Sequence, residues 1–188
     1  MPAEHDRSNL SPGDVLGFWF DELTPEEWFR GSPDLDDRIR FRFADAVERA
    51  MAGEFDPWTA TPDGALALVL LLDQVPRNIH RDSASAFAQD AKARAVAKAA
   101  IDAGFDKART VPQRIFLYLP LEHSEDLADQ ERSLALFESL GDPVQADYAR
   151  RHHAVIARFG RFPHRNPVLG RPSTAEELDY LKDRDEPF

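Results

Sequence analysis

Four times the chain sets a hydroxyl residue directly before a proline: Ser11-Pro12, Thr24-Pro25, Ser32-Pro33 and Thr61-Pro62. Proline has no N–H to satisfy at the first helical position, and its fixed φ suits that position, while the hydroxyl before it caps the free donors of the first turn. Thr24 with Glu27, and Thr174 with Glu177, add the acidic partner of a reciprocal cap three residues on. Asp34 and Asp63 fall in first turns, where the helix dipole favours acids. No run of alternating β-branched residues reads as a strand. These signals predict an all-α fold of seven or eight antiparallel helices in a single domain over residues 1–188. Residues 1–10 are expected to be disordered and 184–188 to fray.

The expected helices run from Pro12 to Phe20, Pro33 to Ala52 and Pro62 to Asp73, with a short turn bearing Trp28 after the first. In the second, Leu35, Ile39, Phe43, Val47 and Ala50 keep helical spacing. The third is apolar all round, which predicts a buried helix. A fourth, alanine-rich helix is expected from Asp82 or Ser83 to Gly104, packed closely against its neighbours. The fifth starts at Pro112 and is expected to break at Pro120. Ser124 is expected to cap the sixth, which Gly141 ends. The seventh spans Pro143 to Gly160, and the eighth Ala175 to Asp183.

Composition excludes several classes of function. The chain has no cysteine, so disulfides and thiolate metal sites are out. No metal ligation pattern such as HExxH, glycine-rich phosphate loop or serine-nucleophile motif occurs, and no cofactor is expected. The first residues hold no apolar leader core, and the longest apolar run, Ala65 to Leu72, is too short to span a bilayer. A soluble cytoplasmic protein, with no membrane partner, is the expectation. A formal net charge of −11 repels phosphate polyanions, so nucleic acid is not an expected partner either. The charge is nonetheless uneven. Residues 150–171 hold six arginines and no Asp or Glu. Such a segment pairs with the protein's own acids or faces an anion. Glu122, Glu125, Asp126, Asp129 and Glu131 lie just upstream as internal partners, and some arginines are expected to be left over.

Three polar stretches interrupt the helical pattern. The first ends an apolar run in Asp73, Gln74, Pro76, Arg77, Asn78 and Arg81. The second is Pro120 to Gln130, with His123, Ser124 and Glu125. The third is Arg158 to Asn166, with Arg161, His164 and Arg165. Pro76 removes a helical donor and crowds the preceding turn, so the helix is expected to stop or kink there, with Gln74, Arg77 and Asn78 as donors for the freed carbonyls. Arginine forks suit carboxylate or phosphate. His123 and His164 are candidate proton-transfer groups, oriented by Asp73 or Glu125. The same residues also suit a closed arginine–carboxylate network that locks helices together. His152, on an apolar face, reads as a hydrogen-bonded core residue, and Phe18, Trp19, Phe20, Trp28 and Trp58 as core rather than as a peptide groove.

Together with Val15-Leu-Gly-Phe-Trp-Phe20, these three stretches resemble the bacterial family catalogued as domain of unknown function 924. The likeness covers nearly the whole chain, with Val75 and Gly17 standing where Phe and Asp are expected. It implies an all-helical fold similar to tetratricopeptide-repeat proteins, and it carries no activity with it. Two functional expectations follow from the residues. One is a polar pocket for a small anionic metabolite, with Asp73, Gln74, Arg77, Asn78, Arg81, His123, Ser124, Glu125, Arg158, Arg161, His164 and Arg165 as its candidates and catalysis as one use of it. The other is a helical module that binds a protein segment.

Overall fold

The computed structural model describes residues 9–182. The expectation of disorder at 1–10 lies outside them except at Asn9 and Leu10, and that of fraying at 184–188 lies wholly outside. The described residues are helical and turn structure with no strand. The helices are α1 (Pro12–Gly17), α2 (Pro25–Phe29), α3 (Pro33–Met51), α4 (Pro62–Val69), α5 (Val75–Ile79), α6 (Asp90–Asp102), α7 (Val111–Glu122), α8 (Leu127–Glu138), α9 (Pro143–Phe159) and α10 (Ala175–Lys182).

Each hydroxyl–proline pair starts a helix. Ser11, Thr24, Ser32 and Thr61 accept from Asp14, Glu27, Leu35 and Gly64 backbone N–H groups. Thr110 and Gln113 form a further reciprocal cap, on α7. Thr174 and Glu177 do the same on α10: Glu177 N–H donates to Thr174 Oγ1 at 3.2 Å, and Thr174 N–H to the Glu177 carboxylate at 2.7 Å. Gly160 closes α9 with φ of 67°, a conformation glycine adopts without strain.

Three boundaries differ from expectation. Pro76 neither stops nor ends its helix. A π-helical turn, Leu70–Gln74, joins α4 to α5, with the Val75 N–H reaching five residues back to the Leu70 carbonyl. The wide turn takes up the residue that proline cannot fit into the α register. Arg77 Nη1 donates to the Asp73 carbonyl at 2.7 Å, the donor role expected of it. A second π turn, Phe18–Glu22, extends α1 in the same way. Pro120 likewise does not break α7, which continues to Glu122. Leu119, Pro120 and Leu121 are all buried there, and that burial offsets one missing bond. Finally, Ser83 caps only a 3₁₀ turn, Ala84–Phe87, and α6 begins at Asp90.

The element around which the rest packs is α4 with its π turn. Every side chain from Gly64 to Gln74 is buried. α1, α6 and α7 pack on α4, and α3 packs on the π turn and α5. The alanines Ala93, Ala97 and Ala100 line the buried face of α6 and allow it to lie close between α4 and α7. The N-terminal aromatic residues are core, not groove. Phe116 of α7 meets Trp19, Phe20 and Trp28 edge-on at 5.5, 5.7 and 5.5 Å and stacks on Phe29 at 6.0 Å. α8 packs on α7 and α9 on α8. Val155, Ile156 and Phe162 form a smaller apolar cluster with Phe159 and Tyr180. Among the described residues no helix is long and apolar enough to cross a membrane.

Candidate functional site

The breaks in the helical pattern place polar groups at one end of the core. The π turn leaves Asp73 on the buried side, 0% exposed. A carboxylate there must be paired, and it is. Its Oδ1 lies 2.9 Å from His123 Nδ1 and 3.2 Å from Arg77 Nη1, and its Oδ2 accepts from Gln74 Nε2 at 2.6 Å. Burial acts to raise the Asp73 carboxyl, but Arg77, His123 and Gln74 outweigh it and hold the group well below the usual carboxylate range. Arg77 also pairs with Asp90, at the start of α6, at 2.9 Å.

A hollow of about 310 Å³ opens beside this cluster. Its lining is apolar at Ala84, Phe87, Ala88, Ala91 and Leu169 and polar at Asp90, Arg94, His123, Ser124, Glu125 and Arg165. The three polar stretches thus meet, but only in part. From the second come His123, Ser124 and Glu125, and from the third only Arg165. Asp73, Gln74 and Arg77 of the first stand behind His123 rather than in the wall. Asn78 and Arg81 turn the other way, to Asp36 of α3: Asn78 Nδ2 donates to it at 2.9 Å, and Arg81 forms an ion pair through Nε and Nη2. The Arg81 guanidinium lies across Gly31, where a Cβ would overlap it.

The arginine excess after Arg150 is paired internally almost throughout. Arg150, Arg151, Arg158 and Arg161 bind Glu138, Asp147, Glu176 and Glu177. Arg171 makes a two-pronged bond to Glu125 at 2.6 and 2.9 Å. Of the acids just upstream, only Glu125 serves as a partner, because Arg158 and Arg161 face α10 instead. Arg158 and Arg161 are therefore away from the hollow, and His164 packs its ring on Phe162 at 5.6 Å. Burial acts to raise the Glu125 carboxyl, but Arg171 and the Phe162 N–H hold it low. Ser124 does not cap a helix; Asp126 caps α8. Ser124 Oγ instead accepts from Arg94 at 2.9 Å and donates to Asp129 at 3.0 Å. His152 is a core residue, with Nδ1 2.9 Å from the Tyr148 carbonyl and 3.0 Å from Glu122.

Arg165 is different from the rest. Its side chain is 8% exposed, and its guanidinium lies over the rings of Phe87 and Phe162, 4.6 and 4.5 Å from their centroids. Its hydrogen bond is Nη1 to Asp90 at a long 3.3 Å, and its buried Nε has no hydrogen-bond partner. Burial and the nearby Arg77 push its pKa down to about 10.

His123 is half-buried in the same cluster. Burial and Arg77 lower its pKa, against the opposing pull of Asp73. Asp90, Arg94 and Phe87 were not among the candidates. They sit in or beside the alanine-rich helix, which reads as packing surface. The available signal was the charge at Asp90, Arg94 and Lys98, spaced four apart among alanines. Among the described residues, no three His, Cys, Asp or Glu side chains are grouped to hold a metal ion.

The model of a family described as bacterial protein of unknown function (DUF924) matches residues 15–185. A solved structure, of the protein of unknown function ATU0120 from Agrobacterium tumefaciens, is similar at 40% identity with a TM-score of 0.88. The match covers 92% of this chain and 97% of that one. Comparison with curated proteins finds no match.

Proposed function

Since the chain belongs to the DUF924 family, which brings no activity with it, function has to come from the site, and we propose that the hollow binds a small anionic molecule through Arg165. The observation that carries this reading is the incomplete pairing of that arginine. A guanidinium removed from water costs free energy unless its donors are used. Arg165 has a partial carboxylate partner, an unused Nε and a neighbouring Arg77. A carboxylate or phosphate in the hollow would complete the charge pairing of the guanidinium, which the two flanking rings hold in place. Arg94, also in the lining, is a second cation, held by Asp129 at 3.2 Å and by Ser124. The volume suits a small metabolite and lies at the lower end for ligand pockets. Ala84, Phe87, Ala88 and Ala91 leave room for a short apolar body beside the anionic group.

The test is thermal denaturation with acetate, succinate, glutarate and inorganic phosphate at matched ionic strength. At a hundred times its Kd a ligand stabilises by about 2.7 kcal/mol, so Tm rises by several degrees for a chain of this size. R165Q should abolish the rise. No response to any of these anions, with R165Q indistinguishable from the parent, ends the proposal.

A further inference from the structure

Holding an anion leaves one feature of the hollow unexplained. Asp73 is ionised and accepts from His123 Nδ1 at 2.9 Å, so the ring proton sits on Nδ1 and the lone pair on Nε2. Among the described residues Nε2 has no hydrogen-bond partner, and the ring lines the hollow. A histidine needed only to neutralise Asp73 has no reason to line a cavity. Gln74 and Arg77 already pair that carboxylate.

We infer that Asp73 and His123 form the proton-accepting pair of a hydrolytic site, in which water attacks the acyl carbon of a small carboxylate-bearing ester. This rests on the anion reading, because Arg165 holds the carboxylate. As a water O–H bond breaks, its proton passes to Nε2 and the oxygen electron pair forms the new bond to carbon. The carbonyl pair moves onto oxygen. When the tetrahedral species collapses, the carbonyl re-forms, the ester C–O bond breaks, and the imidazolium returns the proton to the departing alcohol.

Water is the nucleophile because the nearest hydroxyl is occupied. Ser124 Oγ donates to Asp129 and accepts from Arg94 and the Asp126 N–H. Asp73 is a positioning residue: it fixes the tautomer and stabilises the imidazolium as it forms. The charged groups around the ring are Asp73 and Arg77 from the π turn and α5, Asp90 and Arg94 from α6, Glu125 beside α8, and Arg165. Burial and then Arg77 lower its pKa and so favour the neutral imidazole, the form that accepts a proton.

The probe pair is mono-4-nitrophenyl glutarate, which carries a carboxylate, and 4-nitrophenyl acetate, which does not. The full chain should hydrolyse the glutarate ester in preference, with a rate that falls on the acid side of pH 6.5. H123Q should lose about a hundredfold or more. D73N should lose rate and change the acid limb of the pH profile, which a purely structural Asp73 would leave in place. In R165Q the preference for the glutarate ester should disappear through KM.

Equal hydrolysis by H123Q and the parent chain overturns the inference, and an Arg165-dependent preference in the same data leaves the anion reading standing. A large H123Q effect without any Arg165-dependent preference does the reverse. No hydrolysis of either ester above the H123Q level also overturns it. If H123Q does not fold, ¹⁵N spectra of the parent imidazole decide: the proton is expected on Nδ1, and a proton on Nε2 sinks the proposal.

Discussion

Charged side chains in this protein differ in value according to what they would leave behind. Arg77 and Arg158 are both arginines in carboxylate ion pairs. Arg158 meets Glu176 where both side chains are more than half exposed, so solvent screens the pair and its removal is cheap. R158A is expected to change stability by no more than about 0.5 kcal/mol. Arg77 serves Asp73, Asp90 and the Asp73 carbonyl from a mostly buried position. Arg77→Met takes the shared cation from two carboxylates, leaving Asp73 with His123 and Gln74 and Asp90 with Arg165, and is expected to cost about 2–4 kcal/mol. Urea titration of the two variants side by side checks both values. Equal midpoints would mean that the Asp73 cluster is no tighter than a surface pair. Arg165 belongs to neither class, since its own pairing is incomplete, and that is what suits it to anchor a ligand.

Between elements, the fold relies on a few side chains that answer several backbone groups at once. Gln130 of α8 points Nε2 at the carbonyls of Glu122 and Ser124, at 2.6 and 2.7 Å, and lies 3.5 Å from that of Leu121. It therefore secures the end of α7 and the turn that carries His123. Gln130→Leu keeps the volume but removes the donor, and should cost about 1–3 kcal/mol. It should also speed amide exchange at residues 123–125, and normal protection there would show that the turn holds without it.

Most helix starts were readable because capping is local: a hydroxyl, a proline and an acid within four residues settle the first turn. The stop, one of two outcomes expected at Pro76, and the break expected at Pro120 do not occur, for the complementary reason. A π turn at one, and burial of Leu119 and Leu121 at the other, come from the surroundings and not from the dipeptide. The site was legible as polar stretches that interrupt apolar ones. Its membership was not, because spacing along the chain cannot reveal that Arg161 turns to Glu177 while Arg165, four residues on, turns inward.

Over the whole molecule, acid should act in two stages. The His123 pKa is lowered in the folded state, so the unfolded chain takes up that proton first. Its contribution is full above about pH 6.5 and declines as pH falls below that. Glu177 ties α10 to Arg161, Asn166 and Thr174. Its pKa is lowered to about 2, by the Arg161 and Thr174 hydrogen bonds above all. That contribution is full above about pH 4.5 and is lost as pH drops toward 2. Urea midpoints against pH should show both declines. E177Q should reduce the lower one, which Asp73 and Glu125 share, and leave the upper in place, and H123Q should remove the upper. A single transition in the parent chain would contradict this.

The wide turn at Leu70–Gln74 has one more consequence. It acts as a phase adjuster: five residues fill about the sweep that four fill in an ordinary turn, so Leu66 and Leu68 stay in the core while Arg77 stays on Asp73. Forcing the same residues into ordinary winding would rotate one half against the other by about 100°. Deleting one of Leu70, Leu71 or Leu72 would instead return the turn to ordinary winding, one bond short at Pro76, with both halves facing as before. A shortened chain of this kind should keep its helix content and still melt cooperatively.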